Sequence, residues 1–563
     1  MIIGLDVGGT HTDVVLLDRQ GIVRDVKVTT DASNLFNTVL EGLEGVMSGM
    51  DPAAVKRVVL STTLTTNAIV QNKIPGVGII VSSGPGIDPR YFQTSAHYFP
   101  VSGSIDHRGR EVEPVDAGEI ERVSREFLAR GIRYVGVVGK FSVRNPVHEL
   151  QIKAQLGNGF EKVFLGHRIS GHLNFPRRIA TTYLNASVYP IHREFFEAVQ
   201  QSLNARGLSM PIRILKADGG NMNFASSIEF PGQTILSGPA ASVMGAIAYA
   251  ADTADSLVLD IGGTTTDMAV LMNGVPLLAP LGIDIGGYRT LIRSLDIHSI
   301  GIGGDSLVRL NHQQIEIGPE RLGPAMAYGG PVPTPTDALF VLKKIENGDR
   351  EKSIKGIEPI AGALDLSVEA AAGSIFEHAC SKILQEAEAM TARLNSKPVY
   401  TIHEIREGFR LEPRQMLILG GPAPYFGEQL KKQSGMEIKI VPKWSVANAI
   451  GAALARTTSE ITLFADTEQG MSMAPGEDYH ATICREFNRE DAVRTAFDLL
   501  KEKAVKRGAN PDHLEMEILE ELEFNMVRGF NTTGKNIRIR AQVKPGLIKG
   551  YEDVLSLSKG PHA

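Results

Sequence analysis

Two cysteines and one tryptophan in 563 residues are the scarcest features of this chain. Cys380 and Cys484 are too few for a disulfide framework or a cysteine-based zinc site, and they read as inert, partly buried thiols. Aromatic residues make up only 6% of the chain, and they do not interleave with basic ones. With a net charge of −6 and no long basic run, neither nucleic acid nor an anionic membrane is expected as a partner. The most apolar helical stretch, 240–251, falls short of the roughly 20 residues a membrane helix needs. The chain opens on a strand pattern, without a basic-then-apolar leader. A cytoplasmic enzyme is the resulting expectation.

What the chain does have is a repeated phrase. Leu5-Asp6-Val7-Gly8-Gly9-Thr10-His11-Thr12-Asp13 returns as Leu259-Asp260-Ile261-Gly262-Gly263-Thr264-Thr265-Thr266-Asp267. Each copy predicts strand, glycine turn, strand, over 2–6 and 14–17 and again over 257–260 and 268–271. Paired glycines let a backbone bend tightly and aim its N–H groups at an anion. The hydroxyls of Thr10, Thr12, Thr264 and Thr266 add donors, and the aspartates suit a hydrated cation. One such phrase would read as an ordinary hairpin with a glycine-rich turn. Two copies point instead to related halves facing each other across a cleft that grips a polyphosphate and its magnesium.

Length and composition fit two large domains and a smaller unit, with 43% hydrophobic and 22% charged residues. The first third reads as three strands followed by strand–helix alternation, which predicts one mixed sheet covered by helices. A helix begins at 64 in a threonine-rich turn. A long helix from 176 through 189 towards 206 joins the halves, and a strand over 212–216 opens the second. There Ser237-Gly238-Pro239 precedes a small-residue helix whose start would leave N–H groups free. The loop Gly303-Gly304-Asp305 and the pair Gly420-Gly421 complete the glycine turns. Beyond about 464 a small α/β tail is expected, with two strands flanking 531–535. The expected units are 1–175, 176–465 and 466–563.

The ordered set of motifs resembles the hydantoinase A/5-oxoprolinase family, which includes acetone carboxylase subunits, within the actin/Hsp70/sugar kinase superfamily. It consists of the first hairpin, Ser61-Thr62-Thr63-Leu64-Thr65-Thr66-Asn67-Ala68, Asn145-Pro146-Val147-His148-Glu149, Leu236-Ser237-Gly238-Pro239-Ala240-Ala241, the second hairpin, and Gly329-Gly330-Pro331-Val332-Pro333-Thr334-Pro335-Thr336-Asp337-Ala338. The resemblance spans roughly residues 1–465. It departs at His11, at Asp305 and after Gly420-Gly421-Pro422, and at Asn174-Phe175-Pro176-Arg177. It implies an α/β fold of two actin-like, ribonuclease H-like ATPase domains around a nucleotide cleft, with a small C-terminal appendage. It also implies ATP and Mg²⁺, a small cyclic amide substrate, a B-type hydantoinase subunit as partner, and an oligomer.

The expected reaction is ATP-dependent opening of a hydantoin or an oxoproline-like lactam through phosphorylation of the amide oxygen. Asp6 and Asp260 are the expected magnesium carboxylates. Asp13 and Asp267 either share that task or hold the hairpins together. Gly8, Gly9, Gly238, Gly262, Gly263, Gly303 and Gly304 line the phosphates, and Gly420 and Gly421 admit the adenosine. Thr63, Thr65, Thr66 and Asn67 line the phosphate or substrate end, with N-capping as their structural alternative. Asp305 is a further magnesium ligand or water-orienting base. His148 and Glu149, adjacent on a helix, face different ways and share no metal, so they read as cap or surface residues. Arg177 and Arg178 read as a solvated helix face. Rival readings are a carboxylase subunit activating a ketone as its enol phosphate, a small-molecule kinase, and a nucleotide-driven binding protein like actin or Hsp70.

Overall fold

The computed structural model describes residues 1–563 except 32, 206, 209, 250–253, 397–409 and 552–563. Strands β1 (Ile2–Val7), β2 (His11–Leu17) and β3 (Ile22–Thr29) form an antiparallel meander, and β4 (Arg57–Thr62) adds to β1 in parallel. Six consecutive buried residues in β1 mark it as a central strand covered on both faces.

The expected single sheet of the first third divides in two. Strands β5 (Val77–Ser82), β6 (His97–Val101), β7 (Tyr134–Gly139) and β8 (Lys162–Leu165) make a separate all-parallel sheet, ordered β8-β7-β5-β6. Its central strands β5 and β7 are buried along their whole length, and the long helix 175–205 packs against the sheet. Strands β9 (Ile212–Leu215) and β10 (Asn221–Asn223) correct a second expectation. They do not open the second half; β9 pairs in parallel with β4, giving the order β10-β9-β4-β1-β2-β3. Parallel pairing needs a long crossover, and the intervening chain, ending in that helix, supplies it.

In the second half, β11 (Ser256–Ile261) and β12 (Thr266–Met272) are antiparallel, β13 (Val275–Pro276) and β14 (Ile297–Ile300) both pair with β12, and β15 (Gln415–Leu419) lies parallel to β11, followed by β16 (Glu437–Ile440). The β1–β2–β4 unit thus recurs as β11–β12–β15: a hairpin with a parallel strand beside its first member.

Four helices position the site: α1 (Leu64–Val70), α2 (Phe175–Ala205), α3 (Ser237–Tyr249) and α4 (Ala447–Leu454). Along its 31 residues α2 packs Ile179 and Leu184 on the parallel sheet and Phe196 and Val199 on the first sheet. Helices α3 and α4 cross between the two halves with almost no side chain between them. A Cβ on Gly245 would lie 2.7 Å from the Ala447 carbonyl carbon, and one on Gly451 would lie 2.9 Å from that of Met244.

The tail is a five-stranded antiparallel sheet, with β17 (Glu460–Asp466), β18 (Met471–Ala474), β19 (Tyr479–Thr482), β20 (Met516–Arg528) and β21 (Asn531–Val543) ordered β19-β18-β17-β21-β20. A helix, Arg489–Lys506, buries Ala492, Ala496 and Leu500 against it. The turn expected at 531–535 falls inside β21, and the chain reverses at 529–530. Asn-Thr-Thr-Gly mimics turn chemistry, but it pairs with β20, Gly534 opposite Met526 and Thr532 opposite Val527, with a register shift at Thr533 between them. Cys380 is buried and Cys484 exposed. Among the described residues, no single helix is long and apolar enough to cross a membrane.

Candidate active site

The first hairpin places Asp6 opposite Asp13 and closes its turn with Gly8 N–H donating to His11 O at 3.0 Å. Gly9 and Thr10 stand exposed at the tip, whereas Thr12 is fully buried with its hydroxyl against that of Thr30 at 2.9 Å. Asp6 is 6% exposed. Its Oδ1 has no hydrogen-bond partner among the described residues, and its Oδ2 accepts from Asn448 Nδ2 at 3.4 Å. Burial pushes this carboxyl up to about 7, and the Asp13 and Asp260 charges add to the effect. Asp13 is ion-paired with Lys27 at 2.6 Å, so its strongest contact ties β2 to β3.

The second hairpin repeats the geometry. Asp260 faces Asp267, and Gly262 N–H donates to Thr265 O at 2.9 Å. Thr264 is exposed, while the Thr266 hydroxyl donates to Ile302 O at 2.7 Å. Asp260 Oδ2 accepts from the Ser242 hydroxyl at 2.5 Å. Burial raises Asp260 above the usual carboxylate range against the pull of Ser242 and Asn448. Burial, reinforced by Asp260, lifts Asp267 to about 7.

Two further glycine turns converge on this hairpin. Gly304 N–H donates to Gly262 O at 2.9 Å and Asp305 N–H to Gly263 O at 2.7 Å. No side chain fits between the loops: a Cβ on Gly303 would sit 2.6 Å from Gly262 O. Asp305 leans over Gly263 and accepts from Arg321 Nη2 at 3.1 Å; burial raises its carboxyl despite that pair. Gly420 follows β15 at φ +96°, where a Cβ would meet Asp260 Oδ1 at 2.5 Å, so a left-handed glycine is required there. Gly421 faces open space.

Helices α3 and α4 join the two hairpins. At the start of α3, the Ser237 hydroxyl donates to Thr62 O at 3.1 Å, and Gly238 would place a Cβ 3.5 Å from the Thr63 methyl. Farther along, Ser242 reaches Asp260. Asn448 on α4 faces both Asp6 and Asp260. Neither Ser242 nor Asn448 was expected from sequence, because a lone serine or asparagine in an alanine-rich helix carries no spacing signal.

The threonine turn of α1 divides. Leu64 N–H is capped by Thr62 Oγ1 at 3.1 Å, which leaves Thr63 free of capping. The Thr63 hydroxyl donates to Val7 O at 3.3 Å and accepts from Asn67 Nδ2 at 3.2 Å, beside the first hairpin. Thr65 is fully buried against Thr234 at 3.2 Å, and Thr66 Oγ1 accepts from Leu236 N–H at 2.9 Å.

Two polar groups read as surface features are buried. Glu149 is fully enclosed, accepting from Gly139 N–H at 2.8 Å, His167 N–H at 3.0 Å and His167 Nδ1 at 2.5 Å. Burial alone would raise this carboxyl, but His167 and Arg178 hold it below its ordinary value. His148 is buried too, bonded to Glu111 at 3.0 Å. Arg178, also fully buried, donates to His172 O at 2.7 Å, Lys140 O at 2.8 Å and Gly139 O. These side chains are enclosed because the long helix packs its 175–189 stretch on the parallel sheet, which neighbouring sequence alone does not reveal.

The Hydantoinase/oxoprolinase family model matches residues 178–461, and that of the Hydantoinase/oxoprolinase N-terminal region matches residues 2–158. The chain is 25% identical to caprolactamase subunit alpha of Pseudomonas jessenii over 492 residues, covering 78% of this chain and 68% of that one. It is 23% identical to the acetophenone carboxylase gamma subunit of Aromatoleum aromaticum over 594 residues, covering 93% and 77%. Both relatives are named as subunits. The fold is shared with nucleotide-free acetone carboxylase at a TM-score of 0.71 and 19% identity, covering 98% of this chain and 88% of that one.

Proposed function

This chain belongs to the hydantoinase/oxoprolinase family of ATP-binding enzymes, and from that premise we propose that it opens a small cyclic amide at the expense of ATP. The observation that carries this reading is the pair of matching hairpins, whose buried carboxylates Asp6 and Asp260 both face the side chain of Asn448. The whole would be an actin-like pair of domains around a nucleotide cleft. We propose 1–175, 176–465 and 466–563 as units along the chain, although the first sheet draws strands from both sides of residue 175.

The residues fit a magnesium–nucleotide. Mg²⁺ is usually held by one or two carboxylates, waters and phosphate oxygens rather than by a protein cage. Among the described residues no group of three metal-ligating side chains occurs, and Asp6 Oδ1 is buried without a partner. Asp6 and Asp260 would hold the ion or its waters, and the ion would neutralise phosphate charge.

The rest falls to the chain. Gly8 and Gly262 spend their N–H groups closing the turns, and the N–H groups at Gly9, Thr10, Gly263 and Thr264 would offer donors to phosphate oxygens from both sides. Gly420 and Gly421 leave room for the adenosine. A lactam carbon is a poor electrophile because nitrogen donates into its carbonyl. Transfer of the γ-phosphoryl group to the amide oxygen releases ADP and gives an imidate phosphate; one water adds at its carbon, the ring C–N bond breaks as the nitrogen takes up a proton, and a second water cleaves the resulting acyl phosphate to carboxylate and phosphate. Thr63 and Asn67 are placed to orient the amide, and Asp305 to hold the attacking water. Closure of the two halves would exclude bulk solvent. A B-type subunit, in a hetero-oligomer, would complete the hydrolysis.

A ketone-activating carboxylase subunit is the second reading, favoured by the acetophenone carboxylase relative that aligns over 93% of this chain. Phosphate release from Mg-ATP separates the two, with hydantoin, 5-oxoproline, caprolactam, or acetophenone plus bicarbonate added in parallel. Stimulation by a cyclic amide, lost in Asp260→Asn, is expected. Stimulation by the ketone alone would favour the carboxylase, and absence of nucleotide binding would end both readings.

A further inference from the structure

A cavity of ≈ 120 Å³ lies between the C-terminal sheet and the core, away from the hairpin tips. Its wall carries seven arginine or lysine side chains against three carboxylates, Asp218, Glu460 and Glu477. Those carboxylates are taken. Asp218 accepts Lys216 at 3.0 Å and Arg293 at 3.1 Å, Glu460 accepts Arg293 at 3.3 Å and Arg540 at 3.0 Å, and Glu477 pairs with Lys503.

Arg168 pairs with Asp478, which lies off the wall, at 2.6 Å, and three guanidinium groups remain. Arg507 is 5% exposed, and among the described residues it makes no ion pair; its neighbour is the Phe230 ring, 5.0 Å from its centre. Arg144 stacks 3.4 Å over Phe464, with Nη1 buried and unpartnered. Arg538 reaches Glu520 through Nη1 at 3.2 Å, while Nη2 is buried and unpartnered. Buried N–H donors without acceptors are costly, and a buried excess of one charge is costlier. A guanidinium fork matches the paired oxygens of a carboxylate or phosphate.

We propose that this cavity is a second, anion-binding site, which takes a compact oxyanion on Arg144, Arg507 and Arg538. Its donors come from both sides of the joint, Arg144 from the loop after β7 and Arg507 and Arg538 from the tail. A bound oxyanion therefore ties the tail to the core. The site is independent of the nucleotide reading, since none of these arginines belongs to the hairpins.

Calorimetric titration of the full chain tests it, with malonate as the carboxylate and inorganic phosphate as the phosphate, each against chloride at matched ionic strength. Saturable binding of at least one is expected, weakened tenfold or more in Arg507→Gln and in Arg538→Gln. Arg507→Lys, which keeps the charge but loses the fork, covers the case in which a glutamine variant fails to fold, and the same weakening is expected. The better ligand of the two identifies the oxyanion class. No saturable binding of either anion to the folded chain overturns the proposal. So does binding that all arginine variants retain and that Mg-ATP displaces, which would place the anion at the hairpins.

Discussion

Replacing Asp6 by asparagine should make the chain more stable at alkaline pH while abolishing its turnover. The carboxyl is buried, and burial lifts it from 3.8 to about 7. Between those values the folded chain keeps a proton that the unfolded chain has released. A raised carboxyl therefore costs stability as pH rises through that window, the opposite of a salt-bridged aspartate. From 3.8 to about 7 the cost amounts to roughly 4 kcal/mol at pH 8, an upper figure because the site relaxes. Asparagine is nearly isosteric and carries no charge to desolvate. Its variant should lead the parent by about 1.6 kcal/mol at pH 5 and by the full figure at pH 8, at about 2–4 °C per kcal/mol for a unit of this size. Scanning calorimetry of the nucleotide-free chain at pH 5, 6.5 and 8 reads this directly, with Mg-ATP turnover measured on the same samples. A parent whose melting temperature is flat across that range, with no gain in the variant, would refute the electrostatic argument. A gain in stability with full activity would remove Asp6 from the chemistry.

Asn448→Ala removes the amide that faces both site carboxylates, and about 1 kcal/mol, or roughly fivefold in Mg-nucleotide affinity, should be lost at pH 7; an unchanged dissociation constant would count against a bridging role. Arg178→Ala leaves three carbonyls without their charged donor and weakens the positive field on Glu149, for an expected loss of about 3–5 kcal/mol read by thermal melting; a melting temperature within a degree of the parent would show that the network is dispensable. Alanine at Gly245 and at Gly373 should act with opposite signs. The first drives a methyl into the Ala447 backbone, while the second meets open space in a helix and gains about 0.5–1 kcal/mol; equal effects on melting would refute the account of the crossing.

The hairpins were legible because duplication raises a weak local pattern above chance, and each copy carries its own strand signal. The third glycine pair and the loop at 303–305 were legible as turns, but their convergence on Gly262 and Gly263 was not, because it is made by backbone contacts that any sequence offers. Ser242 and Asn448 were invisible for a related reason: their role comes from two helices crossing. Arg178 and Glu149 show the converse. Charge read along a chain implies water, yet one buried pair satisfied by three carbonyls and an imidazole is compatible with a fully enclosed helix. Strand 212–215 is legible as a strand but its sheet is not, since nothing in its four residues says which neighbour it pairs with.

Where Gly245 and Gly451 meet the opposing backbone, the two halves of the molecule share a joint with no cushion. Side chains between helices shear by changing rotamer, but bare backbone has no such compliance. Sliding is therefore blocked at the crossing, and rotation about it is the motion left. Such a rivet makes displacement grow with distance from the axis, as the blades of shears travel farther than the steel beside the screw. Asn448 adjoins Ala447 at that crossing and bonds the Asp6 carboxylate, so rotation about it would move both very little. The peripheral faces of the two sheets carry the largest travel, and it is there that paired probes would register the state of the site.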